Sequence, residues 1–165
     1  MKQAVAMLLA IVAWGLGAAR AEEGVPHAFD LRKDAQAARE KNGVVLVMFT
    51  GASCSYCERV LNEFLIPMSR NADYQSKLVF RRVETFSARE LTDFQGRKMS
   101  HGKFAGKSGV RMVPSVMVLD GEGRRLAKPL VGLTTVDYYG YYLDQAINQG
   151  LEKARAPGPG VVALP

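Results

Sequence analysis

Cysteine is scarce in this chain: 165 residues hold two, Cys54 and Cys57, alongside two histidines, His27 and His101, and one tryptophan, Trp14. A structural zinc site takes four N or S ligands and would have to enlist nearly all of these. Attachment of a c-type haem requires histidine directly after the second cysteine, and position 58 is Glu. A basic cluster interleaved with aromatics is also missing. The formal net charge of +6 is spread along the chain, reading as a solvated surface and arguing against a nucleic-acid partner.

Only one apolar stretch approaches the length of a bilayer span, from Ala4 through Trp14 to Ala18. Lys2 precedes it, and Ala19-Arg20-Ala21 has the small-x-small form of a signal peptidase site, followed by Glu22 and Glu23. We therefore expect residues 1–21 to be a signal peptide that exports the protein to the periplasm, an uncleaved anchor being the alternative. Its removal takes away Lys2 and Arg20 and leaves a net charge of +4. Residues 22–155 suffice for one domain with a hydrophobic core, and 156–165 form a Pro/Gly-rich tail expected to be flexible.

The two cysteines frame the tetrad Cys54-Ser55-Tyr56-Cys57 at a point where a strand should pass into a helix. There the free N–H groups and positive end of the helix dipole stabilise a thiolate, making the earlier cysteine a nucleophile and the later one its resolving thiol. Three readings of the pair remain open: a redox-active dithiol, an inert disulfide and a metal site. A ring closed over three positions constrains little chain entropy, so stability is a poor reason for it. An exported domain of this size does not need such a staple.

Along the chain, Leu31, Ala35 and Ala38 recur at helical spacing within Ala28–Asn42, with Gly43 as the expected C-terminal cap. Val44–Thr50 is a continuous apolar run between glycines and reads as a buried central strand. Val60, Leu61, Phe64 and Leu65 make one face of a helix after the tetrad, with Pro67 marking its end or a kink. Leu78–Val83 is a second strand. Thr85–Lys107 reads as a helical turn, an irregular stretch around Gly96 and a short helix near Phe104. Val113–Leu119 and Arg124–Val131 predict a hairpin about Asp120-Gly121-Glu122-Gly123. Val136–Ala154 closes the chain as an amphipathic helix with Val136, Leu143, Ile147 and Leu151 on one face. This order predicts an α/β fold, a mixed β-sheet with helices on both faces.

The run Val45-Leu46-Val47-Met48-Phe49 before the tetrad, then Gly109-Val110-Arg111-Met112-Val113-Pro114, then Gly132, resembles the thioredoxin superfamily in order, spacing and motif across roughly Asp30–Leu151. Within it, the CxYC tetrad and Asp93-Phe94-Gln95-Gly96 look like the periplasmic SoxW-type thioredoxins associated with sulfur-oxidation systems. The resemblance implies a thioredoxin fold in which Cys54 is the exposed nucleophile and Cys57 the buried resolving thiol. It implies a cis peptide bond before Pro114, with the Val113 backbone beside the dithiol ready to pair with an extended substrate. It also implies a disulfide reductase without a bound cofactor or metal, taking protein or small-molecule disulfides and recharged by a membrane electron donor; we expect a monomer.

Some positions depart from that pattern. Met48 stands where the family often has a buried Asp that moves the resolving cysteine's proton, and Ser53 where Trp is common. Ser55 is a candidate for tuning the Cys54 thiolate through its hydroxyl, and Tyr56 for touching substrate. Glu58 should oppose the thiolate and Arg59 favour it. His101 is read as a surface-loop residue, and Tyr138, Tyr139, Tyr141 and Tyr142 as rim residues with hydroxyls outward. The alternatives to a reductase are a dithiol oxidase or isomerase, and a non-enzymatic metal-handling module using Cys54, Cys57 and His101.

Overall fold

The computed structural model describes residues 24–156. The expected signal segment, with Trp14, and residues 157–165 of the expected tail lie outside the described residues.

Strand β1, Val44–Thr50, is the centre of the molecule, and all seven of its residues are buried. An all-apolar strand needs cover on both faces, and the chain supplies it. β1 pairs in parallel with β2, Leu78–Glu84, and antiparallel with β5, Ser115–Leu119, which pairs antiparallel with β6, Leu130–Val131. The sheet order is β2-β1-β5-β6, so the predicted mixed sheet is present.

Because side chains alternate along a strand, β1 feeds two cores. Leu46 and Met48 pack with Cys57, Val60, Leu61 and Leu65 from the helix after the tetrad, and with Leu143 and Ile147 from the last helix. Val45, Val47 and Phe49 face Leu31, Ala35 and Ala38 of helix α1, Leu31–Glu40, and Phe104 of a short helix further on. Each large side chain sealed in these layers contributes about 1.5–3 kcal/mol relative to an exposed one.

Helix α1 starts later than its periodicity suggested, because Asp30 caps it, its carboxylate accepting from the N–H groups of Arg32 at 3.0 Å and Lys33 at 3.3 Å. Its C-terminal cap differs from expectation. Asn42, with φ of 49°, adopts the left-handed conformation and donates to Arg39 O at 3.0 Å, while Gly43 N donates to Ala38 O at 2.8 Å. Gly43 serves close approach instead, since a Cβ there would lie 2.1 Å from the Lys77 carbonyl oxygen.

The helix after the tetrad runs through Pro67. It begins as α2, Ser55–Arg59, widens into a π-helical segment, Val60–Leu65, and resumes as α3, Ile66–Arg70. At the junction Ile66 N–H reaches back to Leu61 O, a wide turn of the kind that accommodates a proline ring inside a helix. A one-turn helix α4, Ala72–Gln75, leads to β2.

Between β2 and β5 the expected helical turn is absent. Its place is taken by a small antiparallel hairpin, β3 Glu90–Thr92 and β4 Lys98–Ser100, before α5, His101–Lys107. The Asp93 carboxylate builds the turn, accepting from Gln95 N at 3.0 Å, Arg97 N at 2.8 Å and Arg97 Nε at 2.9 Å. The predicted partner strand after the Asp120 turn shrinks to an isolated bridge at Arg125 and to β6. Helix α6, Val136–Arg155, buries Tyr139, Leu143, Ala146, Ile147 and Leu151.

His101 is not a surface residue: it is fully buried at the first position of α5. Its Nδ1 accepts from Glu84 N–H at 3.1 Å, so Nε2 carries the proton and donates to Ala28 O at 2.8 Å. The ring thus ties the entering chain to the end of β2. Burial holds its pKa below the ordinary histidine value, the Ala28 bond opposing this and Arg89 adding to it. The unfolded chain therefore takes up the proton first as pH falls, and stability contributed above about pH 6.5 is lost on acidification. Urea unfolding at about pH 7.5 and 5.5 should show this loss in the wild type, and a smaller pH dependence in a His101→Gln variant that is weaker at the higher pH.

Candidate redox site

The C-terminal end of β1 delivers the tetrad. Ser53, with φ of 52°, turns the chain, and Cys54 becomes the N-cap of α2, its Sγ accepting from Cys57 N–H at 3.2 Å. Cys54 and Cys57 form a disulfide with an S–S distance of 2.09 Å and a Cα–Cα distance of 5.2 Å. The two are unequal: Cys54 is half-buried, whereas Cys57 is 1% exposed within the core. An N–H aimed at Sγ at the start of a helix is the arrangement that holds a thiolate when the bond is open.

Four large apolar side chains at this end of the sheet are exposed: Tyr56, Phe86, Met112 and Val131. The Val113–Pro114 peptide bond is cis. Pro114 O accepts from Gly132 N at 2.7 Å, fixing the loop against β6. A Cβ built on Gly51 would lie 3.2 Å from Val113 Cγ2, so Val113 stands beside the turn that carries Cys54. No backbone hydrogen bond engages Val113 among the described residues.

Ser55 is exposed at the first position of α2, and its hydroxyl has no hydrogen-bond partner within the described residues. Arg59 pairs with Glu63 along the helix at 2.9 Å, which turns its charge away from the tetrad. Glu58 is exposed. Below Cys57 the core is apolar, Met48 being fully buried in the same cluster.

Two site assignments change. His101 spends both ring nitrogens on Glu84 and Ala28 and offers neither to a ligand. Of the four tyrosines on α6, Tyr138, Tyr141 and Tyr142 are exposed, while Tyr139 is buried against Phe64 with ring centroids 5.0 Å apart. Its hydroxyl, read as outward, is sealed in without a hydrogen-bond partner among the described residues, and burial pushes its pKa up. Sequence reasoning missed Thr85, whose N–H and hydroxyl bond Thr50 O at 2.8 and 3.0 Å and lock the following loop beside the site. No periodicity or motif in the sequence marks it.

A family model described as a thioredoxin-like domain matches residues 31–147. Among solved structures, thioredoxin O2 from Arabidopsis thaliana in the oxidised state is 15% identical with a TM-score of 0.51, the match covering 77% of this chain and 97% of that one. The periplasmic thioredoxin SoxS from Paracoccus pantotrophus is 17% identical with a TM-score of 0.43, covering 64% and 97%. The C-terminal domain of DsbD from Neisseria meningitidis is 16% identical with a TM-score of 0.45, covering 69% and 90%. No curated protein sequence matches the chain significantly.

Proposed function

The chain belongs to the thioredoxin-like domain family and is a thiol–disulfide oxidoreductase, and from that premise we propose that it is an exported disulfide reductase that works on protein disulfides through Cys54. The observation that carries the reading is the asymmetry of the pair: a half-buried Cys54 Sγ held by an N–H at a helix start, with Cys57 sealed beneath it. The collar of Tyr56, Phe86, Met112 and Val131 favours a polypeptide over a small thiol as the partner.

In the reaction, the Cys54 thiolate attacks one sulfur of the substrate disulfide. A mixed disulfide forms, and the departing substrate thiolate takes a proton from water. Cys57 then gives up its proton and attacks Cys54 Sγ, releasing the second substrate thiol and closing the Cys54–Cys57 bond. Two electrons pass to the substrate, and the dithiol is left oxidised. Met48 stands in the hydrophobic cluster around Cys57, so the proton is assigned to water or to Glu58.

The alanine-rich N-terminal segment supports export, and an oxidising compartment then requires a membrane electron donor to reopen the disulfide. The SoxW-type likeness of the tetrad and of Asp93-Phe94-Gln95-Gly96 supports the same placement. Val113, Pro114 and Tyr56 would contact substrate, with Ser55 tuning the thiolate, in a monomer without cofactor. The test is reduction of insulin by the reduced protein, together with the reduction potential of the pair. A reductase turns insulin over and sits near about −270 mV, whereas a potential near about −120 mV would mark an oxidase and overturn the proposed direction.

A further inference from the structure

We propose that the groove at the pole of the sheet opposite the dithiol, where α1 and α6 both end, is a binding site for a polyanion carrying adjacent phosphoryl groups.

The groove has a volume of about 1140 Å³. Gly43, just before β1, and Asp120, just after β5, both line it, and Val45 pairs with Leu119 across the sheet, so it lies at the end of β1 remote from Cys54. At about 3.3 Å per residue, β1 sets the two about 20 Å apart. A ligand held here leaves the exchange site open.

Charge decides what fits. Five cations and two carboxylates line the groove. Both carboxylates are spent on Arg124, whose guanidinium holds Asp120 at 2.7 Å and also Glu122. The remaining cations have no carboxylate partner among the described residues. Three of them rest on backbone carbonyls: Lys41 Nζ on Gln75 O at 2.8 Å, Lys153 Nζ on Leu126 O at 2.7 Å and Arg155 Nε on Asn42 O at 2.9 Å. Arg155 thereby keeps both Nη groups for a ligand, and Lys153 keeps further N–H donors.

The fourth, Arg39, is placed by shape. A Cβ on Gly121 would lie 2.5 Å from Arg39 Nη1, and Gly121 does not adopt the left-handed conformation, so the missing side chain makes room for the guanidinium and not for an unusual turn. Arg39 belongs to the last turn of α1, and Lys153 and Arg155 to the last turn of α6. The negative ends of two helices attract cations, but each carries only about half a charge and together they offset about one. The cations exceed the carboxylates by more than that, which leaves charge for a ligand with at least two negative charges. Phosphoryl groups concentrate such charge on tetrahedral oxygens that guanidinium forks grip. No aromatic side chain among the described residues lines the groove, so a nucleobase has nothing to stack on.

The test is calorimetric titration of the full chain at low ionic strength with sodium tripolyphosphate and with citrate, alongside co-sedimentation with phosphatidylglycerol vesicles. Tripolyphosphate should bind at one site, about tenfold or more tighter than citrate. Arg39→Gln and Arg155→Gln should each weaken it by about tenfold. Gly121→Ala, which keeps every charge and displaces the Arg39 guanidinium, should weaken it several-fold. Lys33→Gln, the same loss of charge on an exposed residue at the other end of α1, should leave it unchanged. Vesicle binding with the same pattern among the variants assigns the phosphoryl groups to lipid headgroups, and tripolyphosphate binding without vesicle binding assigns them to a phosphorylated solute. Binding of neither probe, citrate binding as tightly as tripolyphosphate, or an equal loss in Lys33→Gln overturns the site.

Discussion

A Cys57→Ser variant is expected to accumulate as a mixed disulfide with its partners through Cys54, losing more than about a thousandfold in multiple turnover while still reacting once. Cys54 retains its place at the helix start, where the N–H of residue 57 reaches Sγ at 3.2 Å, so the attacking thiolate survives the change. The group that would release the substrate is gone, and a serine hydroxyl cannot displace a thiolate from sulfur under these conditions. Cys54→Ser should abolish even the first attack, because the remaining Cys57 is 1% exposed and out of a substrate's reach. Non-reducing electrophoresis of the two variants, expressed with the N-terminal segment in a host with a periplasm, reads the difference directly. Complexes through Cys57 rather than Cys54, or none through either, would reverse the assignment of roles. Neither change should unfold the domain, because a disulfide over so short a separation restrains little of the unfolded chain.

The parts of this molecule that were legible in the sequence are those where one physical signal dominates. Val44–Thr50 was bounded correctly because seven consecutive core residues between two glycines admit few other readings. Helix α6 was bounded within a residue, since twenty residues repeat the apolar spacing several times. The tetrad was legible through scarcity, the only cysteines falling at a strand–helix junction.

The illegible parts are held by individual polar contacts that leave no periodicity. Strands of three residues in β3 and β4 are too short to alternate, and their turn depends on the Asp93 carboxylate. His101 sits in a polar stretch and is buried only because Glu84 N–H and Ala28 O meet its two nitrogens. Pro67 suggested an end or a kink, but the preceding π-helical turn carries the helix through it. At the tetrad, the Cys54–Cys57 pairing and the cis bond before Pro114 were readable from spacing and resemblance. Thr85 was not, because its place beside Gly51 is created by the parallel pairing of β1 with β2.

The same parallel pairing sets Arg81 of β2 in an ion pair with a buried carboxylate of α1. Asp34, on α1, is 5% exposed and accepts from Arg81 Nε at 2.9 Å and Nη2 at 2.5 Å, a two-pronged contact between the helix and β2. Burial pushes the Asp34 carboxyl above its ordinary value, and Arg81 pulls it back only in part. Arg81→Met removes that counterweight and leaves a carboxylate in an apolar layer. The expected cost is about 3 kcal/mol at neutral pH, toward the low end for a broken buried pair because a quarter of the Arg81 side chain touches solvent, 26% being exposed. The sign of the pH dependence follows from the raised pKa. Between the ordinary carboxylate value and the raised folded value, the folded state holds the proton more tightly than the unfolded chain, so stability falls as pH rises through that window. Without Arg81 the folded value rises further, and the variant's deficit should be largest near pH 7 and shrink as Asp34 is neutralised toward about pH 4. Asp34→Leu combined with Arg81→Met should recover most of the loss, since a matched apolar pair avoids the stranded charge. Urea unfolding of the wild type and the two variants across this pH range decides it: a deficit for Arg81→Met that is independent of pH, or equal in the double variant, would mean that lost packing and not the unpaired carboxylate sets the cost.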